Sequence, residues 1–337
     1  MNGIERIRAA ASFGATDRVP LAPAIMGYAA TLAGVPLERY LRDGEVLARC
    51  QVQAQRRYGH DTVFAFMDLS VETEAMGSTL KYHERQYPDI LSYALTPDDV
   101  TDNLVMPDPH RSGRMPELLR AVAILRREVG DHTLVVGAVT GPLTLATQLL
   151  GMEATLYLAA DDPAGFERLL DLTTEAIIRF GCAQIAAGAH VPMVFEPSAS
   201  PVIVPPRFFS EFLLPRLQRV LAAFKAAGGM LNWVMITGPI EPILPYCAEL
   251  GTDILHLDYC VDPVRAQEVL PRVCLAGNLK PLAFVTAAPE EIAAEARRLC
   301  SLFADRGGFL LSSGCEIPLE SSAANVAALI AAAYPGA

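Results

Sequence analysis

Short apolar runs alternate along the chain with longer stretches whose apolar residues recur at helical spacing. The runs are VPLAPAI (19–25), TVFAFM (62–67), TLVVGAV (133–139), HVPMVFE (190–196), MLNWVMI (230–236), DILHLD (253–258), VCLAGN (273–278) and GFLLSS (308–313). Each has strand length, and their near-continuous apolar character fits strands buried on both faces. The intervening helical segments include PELLRAVAILRREVG, a long one from about Ala154 to Ala187, PPRFFSEFLLPRLQRVLAAFKAAGG, PIEPILPYCAELG, VDPVRAQEVL, APEEIAAEARRLCSLFADRGG and an alanine-rich C-terminal segment. Glycine pairs at 228–229 and 307–308 stand where helices stop, as C-caps favour.

Eight buried strands alternating with helices predict an α/β fold, a single (β/α)8 TIM barrel over residues 1–337. The rival is an open doubly wound sheet. A dinucleotide-binding version of it would carry GxGxxG after an early strand, and the chain has none. Residues 85–115, polar and proline-marked, are expected to leave the barrel between the second and third strands as a candidate lid.

Composition narrows the function. The 337 residues are 52% hydrophobic and 19% charged, which is ample for a large core. The net charge of −11 excludes the basic surface that a nucleic-acid partner requires. No apolar run has membrane-spanning length, and MNGIERIRAAASFGATDR lacks a signal-peptide core, so a cytoplasmic location is expected. The seven cysteines are an odd number without CxxC and read as reduced thiols.

In a barrel of this kind catalytic groups sit where strands give way to the following loops. Asp68 ends the 62–67 run and Glu196 ends the 190–196 run, each a carboxylate that burial would make costly unless paired or used. His256, Asp258 and Cys260 alternate in HLDYC, which on an extended backbone puts an imidazole, a carboxylate and a thiol on one face. Gly277 and Asn278 suit a tight turn close to a bound group, and Met235 is the penultimate residue of the 230–236 run. Cys315, in FLLSSGCEIPLES, follows the last run.

These strand ends, taken together, resemble the uroporphyrinogen decarboxylase family. FAFMDLSVETEAMG, GNLKPLAFVTAAPEEI and GFLLSSGCEIPLESSAANVAALIAAA are similar to its methyltransferase branch, which includes methylcobamide:coenzyme M methyltransferases and relatives that use chloromethane or methoxyarenes. The resemblance implies a single (β/α)8 barrel with a deep central cleft. It also implies that Cys315 matches a zinc ligand of the thiol-methylating branch. There the cysteine acts with a His-x-Cys pair at the end of the fifth strand, and zinc stabilises the attacking thiolate. This chain has Met235, Ile236 and Thr237 in place of that pair, so one ligand of three survives. The decarboxylase branch holds its polycarboxylate substrate with arginines after the first strand, whereas here no arginine lies between Arg18 and Arg39.

The function expected is therefore a corrinoid-dependent methyltransferase. It would move a methyl group between a small methylated substrate, of methoxy or methylthio type, and the cobalt of a corrinoid protein or free cobamide. A DxHxxG cobalt-ligand motif is absent, so the corrinoid is expected from outside this chain. Demethylation of an oxygen needs an acid, for which Glu196 and Asp68 are the candidates, with Tyr28 or His256 as helpers. Met235, Gly277 and Asn278 are expected to face the corrinoid. Two alternatives are a protein that binds a tetrapyrrole or corrinoid without catalysis, and a porphyrinogen decarboxylase.

Overall fold

The computed structural model describes residues 1–96 and 104–334. Nine strands are present among them: β1 (Thr62–Ala65), β2 (Thr79–Lys81), β3 (Asp89–Ser92), β4 (Leu134–Thr140), β5 (Val191–Phe195), β6 (Trp233–Met235), β7 (Ile254–His256), β8 (Cys274–Leu279) and β9 (Phe309–Ser313). β1 and β4 to β9 form one seven-stranded sheet in the order β1-β4-β5-β6-β7-β8-β9, every pairing parallel. Helices return the chain between strands, so the sheet curls steadily in one direction. β2 and β3 make a separate antiparallel hairpin within the stretch that leaves the sheet.

Alternation along each strand divides the core in two. Phe64, Val136, Ala138, Met193, Phe195, Trp233, Met235, Ile254, Cys274, Ala276 and Leu310 pack on the inner face. Val63, Val135, Val139, Val194, Val234, Leu255, Leu275 and Leu311 pack outward beneath the helices. Both faces are dry, which explains why the strands read as continuous apolar runs. The helix Pro163–Ala187 also reaches into the backbone, because buried Gln184 accepts from Ala138 N at 2.9 Å and donates to Ala138 O at 2.8 Å. Gly137 makes room for it, since a Cβ there would stand 2.1 Å from Gln184 Oε1.

The first predicted strand, 19–25, is reduced to a single bridge between Leu21 and Leu311. Ala22 N donates to Leu311 O at 3.0 Å, Leu311 N to Pro20 O at 2.9 Å, and Asp61 N to Leu21 O at 2.8 Å. The segment therefore runs beside β9 and reaches the residue that precedes β1. Pro20 and Pro23 lack the N–H that a longer ladder requires, so regular pairing stops there. The sheet is thus seven-stranded rather than the eight-stranded closed ladder expected. The inner face is sealed at the strands' N-terminal end by the helix Gly3–Ala11, whose Ile7 and Ala10 join the inner cluster. Beside it Asp61 collects Arg6 at 2.6 Å, Arg18 at 2.8 Å and the Leu21 N–H at 2.7 Å.

One further expectation changes. The long helix expected from Ala154 to Ala187 is two helices, Met152–Asp161 and Pro163–Ala187, because Asp162 caps the second by accepting from Gly165 N at 2.9 Å ahead of an N-terminal proline. A helix at Gly44–Tyr58, capped by Asp43, fills the interval between the first two predicted strands. His60, just past that helix, is 1% exposed, and burial pushes its ring down to about 3.

Candidate active site

The strands' C-terminal ends bring several buried acids to one end of the sheet, and each has its own partners. Asp68, three residues past β1, accepts two guanidinium bonds from Arg114, Nη1 to Oδ2 at 2.5 Å and Nη2 to Oδ1 at 3.0 Å. Its Oδ1 also accepts from Ser70 N at 2.7 Å. Arg114 is fully committed, with Nε on Glu74 at 2.6 Å and Nη1 on Leu41 O at 3.0 Å. One helical turn on, Glu72 is buried and accepts from Thr140 N at 2.9 Å, and burial raises its carboxyl to about 7.

Glu196 has no exposed surface. It caps the helix Pro142–Leu150 from the end of β5, accepting from Leu143 N at 3.0 Å, Thr144 N at 2.8 Å and the Thr144 hydroxyl. Burial pushes this carboxyl up to about 7 and outweighs the three donors, which pull the other way. Asp258 ties two loops together by accepting from Gly238 N at 2.7 Å and Tyr259 N at 2.6 Å. Asn278 completes that tie by donating to Asp258 O at 3.1 Å and Val261 O at 2.8 Å. Gly277 has φ +138°, and a Cβ there would stand 2.7 Å from Leu257 O, so glycine lets β8 approach β7.

The alternation His256, Asp258, Cys260 does not produce a shared face. β7 ends at His256, and the backbone turns at Asp258, whose carbonyl accepts from Val261 N at 3.1 Å. Cys260 is exposed, whereas His256 is buried on the inner face. His256 Nε2 donates to Ser313 O at 2.8 Å, and its ring stacks on Trp233 at 6.1 Å between centroids. Its Nδ1 has no partner, and burial lowers the ring to about 4, so the imidazole is neutral. Met235 is buried in the same inner layer. Tyr28 turns the other way, into the core beneath the helices, with its hydroxyl 3.4 Å from that of Tyr58.

Cys315 packs against the inner cluster past the end of β9 and keeps some exposed surface. Burial pushes its thiol up to about 12, with Asp258 adding negative charge nearby. Its neighbour Glu316 was not singled out from the sequence, although it stands in the same SSGCEIP segment. Glu316 accepts from Gly27 N at 2.9 Å and from the Tyr87 hydroxyl. Tyr87 belongs to the connection between β2 and β3, inside the excursion expected as a lid. Residues 97–103 of that expected lid lie outside the described residues.

A family model for uroporphyrinogen decarboxylase (URO-D) matches residues 2–335. The chain belongs to the uroporphyrinogen decarboxylase family. Relatives of two activities are similar to it. Methylcobamide:CoM methyltransferase MtaA of Methanosarcina barkeri is 29% identical over 292 residues, 86% of this chain and 84% of that protein. A uroporphyrinogen decarboxylase of Aromatoleum aromaticum is 30% identical over 276 residues, 79% of this chain and 76% of that one. Among solved structures, a methyltransferase from Methanosarcina mazei superposes with a TM-score of 0.89 at 27% identity, covering 98% of both chains. An enzyme of this family, with methyltransferases and decarboxylases among its relatives, is therefore what the chain encodes.

Zinc does not fit the donors present. Among the described residues no group of three or more His, Cys, Asp or Glu side chains is gathered to hold a metal ion. Cys315 is a neutral thiol, Met235 and Thr237 replace the other two expected ligands, and His256, Glu196 and Asp258 are bonded elsewhere. No helix among the described residues is long and apolar enough to cross a membrane.

Proposed function

We propose that this chain is a corrinoid-dependent methyltransferase that removes a methyl group from a small methoxy- or methylthio-type compound. The methyl goes to a cobalt corrinoid presented by a separate protein or as free cobamide. The supporting observation is the likeness, over 98% of both chains, to a solved methyltransferase. Similarity to a methylcobamide:CoM methyltransferase adds to it. The donor set supports this direction of transfer: methylating a thiol calls for a metal-bound thiolate, and among the described residues no group of three or more His, Cys, Asp or Glu side chains is gathered for one. Demethylating an oxygen calls instead for a carboxylic acid held neutral near physiological pH, and Glu72, Glu196 and Glu316 are all raised to about 7 by burial.

This reading includes a single (β/α)8 unit in which residues 20–22 stand in for the eighth strand, a cytoplasmic location, and the hairpin excursion as a cover over the site. Methyl transfer to cob(I)alamin from a panel of methoxylated and methylthio compounds tests it. Transfer from at least one is expected. No transfer from any of them, with or without added zinc or a corrinoid carrier protein, overturns it.

The second reading is porphyrinogen decarboxylation, favoured by the 30% identical decarboxylase. Against it stands the state of the buried arginines among the described residues. Arg6, Arg114 and Arg216 are each already paired with carboxylates, leaving none for a substrate with many acidic arms. Release of CO2 from uroporphyrinogen at a useful rate would establish it.

A further inference from the structure

Glu316 is reached by two elements far from it in sequence, and both bonds fall on the same oxygen. Oε1 accepts the Gly27 N–H at 2.9 Å and the Tyr87 hydroxyl, and neither bond uses Oε2. The Gly27 N–H also lies 3.2 Å from Tyr87 Oη, so the three groups close a triangle. Gly27 is required for this approach, because a Cβ there would stand 2.4 Å from Tyr87 Oη and 3.0 Å from Leu319. Next to the triangle, the Tyr87 ring meets Phe66 edge-on at 6.3 Å, and Phe66 lies 5.2 Å from Phe195. Tyr87 and Cys315 both pack against the inner cluster, while Glu316 keeps some exposed surface. The pair therefore stands at the open end of an apolar, aromatic-lined interior.

A carboxylic acid has one O–H and its remaining lone pairs to offer. With Oε1 occupied by two donors, the proton belongs on Oε2. The apolar surroundings disfavour the charged form and keep that proton in place. Glu196, a second acid raised by burial, has all its contacts on the helix it caps and no exposed surface, so it is closed to a substrate. Glu72 is likewise buried and bonded to Thr140 N.

The geometry points to Glu316 as the acid that protonates the leaving oxygen of an O-methyl donor, with Tyr87 and Gly27 N–H as the positioning groups that load Oε1. This inference rests on the methyl-transfer reading and narrows its substrate to methyl ethers of weakly acidic alcohols or phenols. In the step, the methyl–oxygen bond breaks and its electron pair stays on oxygen. The methyl is taken by the cobalt(I) acceptor, which supplies the electron pair of the new bond. The Oε2 proton passes to the departing oxygen, releasing the free alcohol or phenol. Glu316 is left as a carboxylate stabilised by the Tyr87 and Gly27 bonds, and it regains a proton from water.

The test compares Glu316→Gln with the unaltered protein on two donors: an unactivated methoxyarene, and a methyl ether of a strongly acidic phenol that departs without protonation. Glutamine keeps the Oε1 acceptor and removes only the acid. The expected result is a loss of about 10²–10⁴-fold in kcat on the unactivated donor and less than about tenfold on the activated one. Tyr87→Phe is expected to lower kcat on the unactivated donor with little change in KM, and it gives the same readout should the glutamine variant not fold. Equal losses of both variants on the two donors, or none, overturn the acid role while leaving methyl transfer standing. Absence of transfer by the unaltered protein from both ethers overturns this inference, and the methyl-transfer reading falls with it when the wider panel of methoxylated and methylthio compounds is inert as well.

Discussion

Arg114 grips Asp68 with two parallel bonds, Nη1 to Oδ2 at 2.5 Å and Nη2 to Oδ1 at 3.0 Å, and both side chains are almost wholly out of solvent. The pair joins the end of β1 to the start of the helix Met115–Val129. Tyr82 lies under the guanidinium at 5.3 Å and donates to Glu74 at 2.8 Å, which ties the hairpin to the same network.

Removing one partner strands the other charge in a dry environment. Arg114→Ala and Asp68→Ala are each expected to destabilise the fold by about 3–5 kcal/mol. The double substitution should cost less than the sum of the two. Urea unfolding of the three variants measures this. A loss below about 1 kcal/mol for both singles would show that the pair is solvated and weak.

Asp61 serves the opposite end of the sheet. It neutralises Arg6 and Arg18 and accepts the Leu21 N–H, so one carboxylate fixes the N-terminal helix, the 20–22 segment and the approach to β1. Asp61→Ala is expected to cost about 3–5 kcal/mol, because Arg18 is left in the interior without a carboxylate while Arg6 keeps only Asp17. Hydrogen exchange should report faster opening at Leu21, Ala22 and Leu311. An unchanged exchange pattern there would refute the role given to Asp61.

The helix-capping acid Glu196 carries a pH signature. Its carboxyl is raised from 4.5 to about 7 by burial. A raised acid contributes stability that is full below its unfolded value and is lost as pH climbs through the folded value. Glu196→Gln cannot ionise and keeps one of the two acceptor oxygens, so its loss of a bond is a constant offset and the pH dependence of the difference is what is read. The variant should therefore gain melting temperature relative to the unaltered protein between about pH 5 and about pH 8. Scanning calorimetry across that range decides the matter, and a difference that shrinks with rising pH would contradict it.

Cys315 is expected to behave as an inert thiol, because burial pushes it to about 12. Alkylation with iodoacetamide near neutral pH, followed by mass spectrometry, should label exposed Cys260 well before Cys315. Metal analysis of the same preparation should find well under one zinc per chain. Stoichiometric zinc that protects Cys315 from alkylation would show that a donor set forms after all.

The sheet was legible because its strands are apolar on both faces, and seven of the eight predicted runs are strands. The eighth, 19–25, has the same composition, but its prolines deny it a ladder. The site was harder to read. Strand-end carboxylates announce themselves, yet what each one does depends on partners no local pattern reveals. Thr144 lies 52 residues from Glu196, and Arg114 lies 46 from Asp68. The HLDYC alternation misled because period two holds only while the backbone stays extended, and it turns after His256. Glu316 went unnoticed beside Cys315, since its significance comes from Gly27 and Tyr87, at separations of 289 and 229 residues.

The contact between Leu21 and Leu311 has a consequence for biosynthesis. During translation the early segment emerges long before β9, the strand it lies against, has left the ribosome. Joining Leu21 to Leu311 closes a loop that contains all the other strands, so this seam carries the largest closure entropy of any contact between neighbours in the sheet.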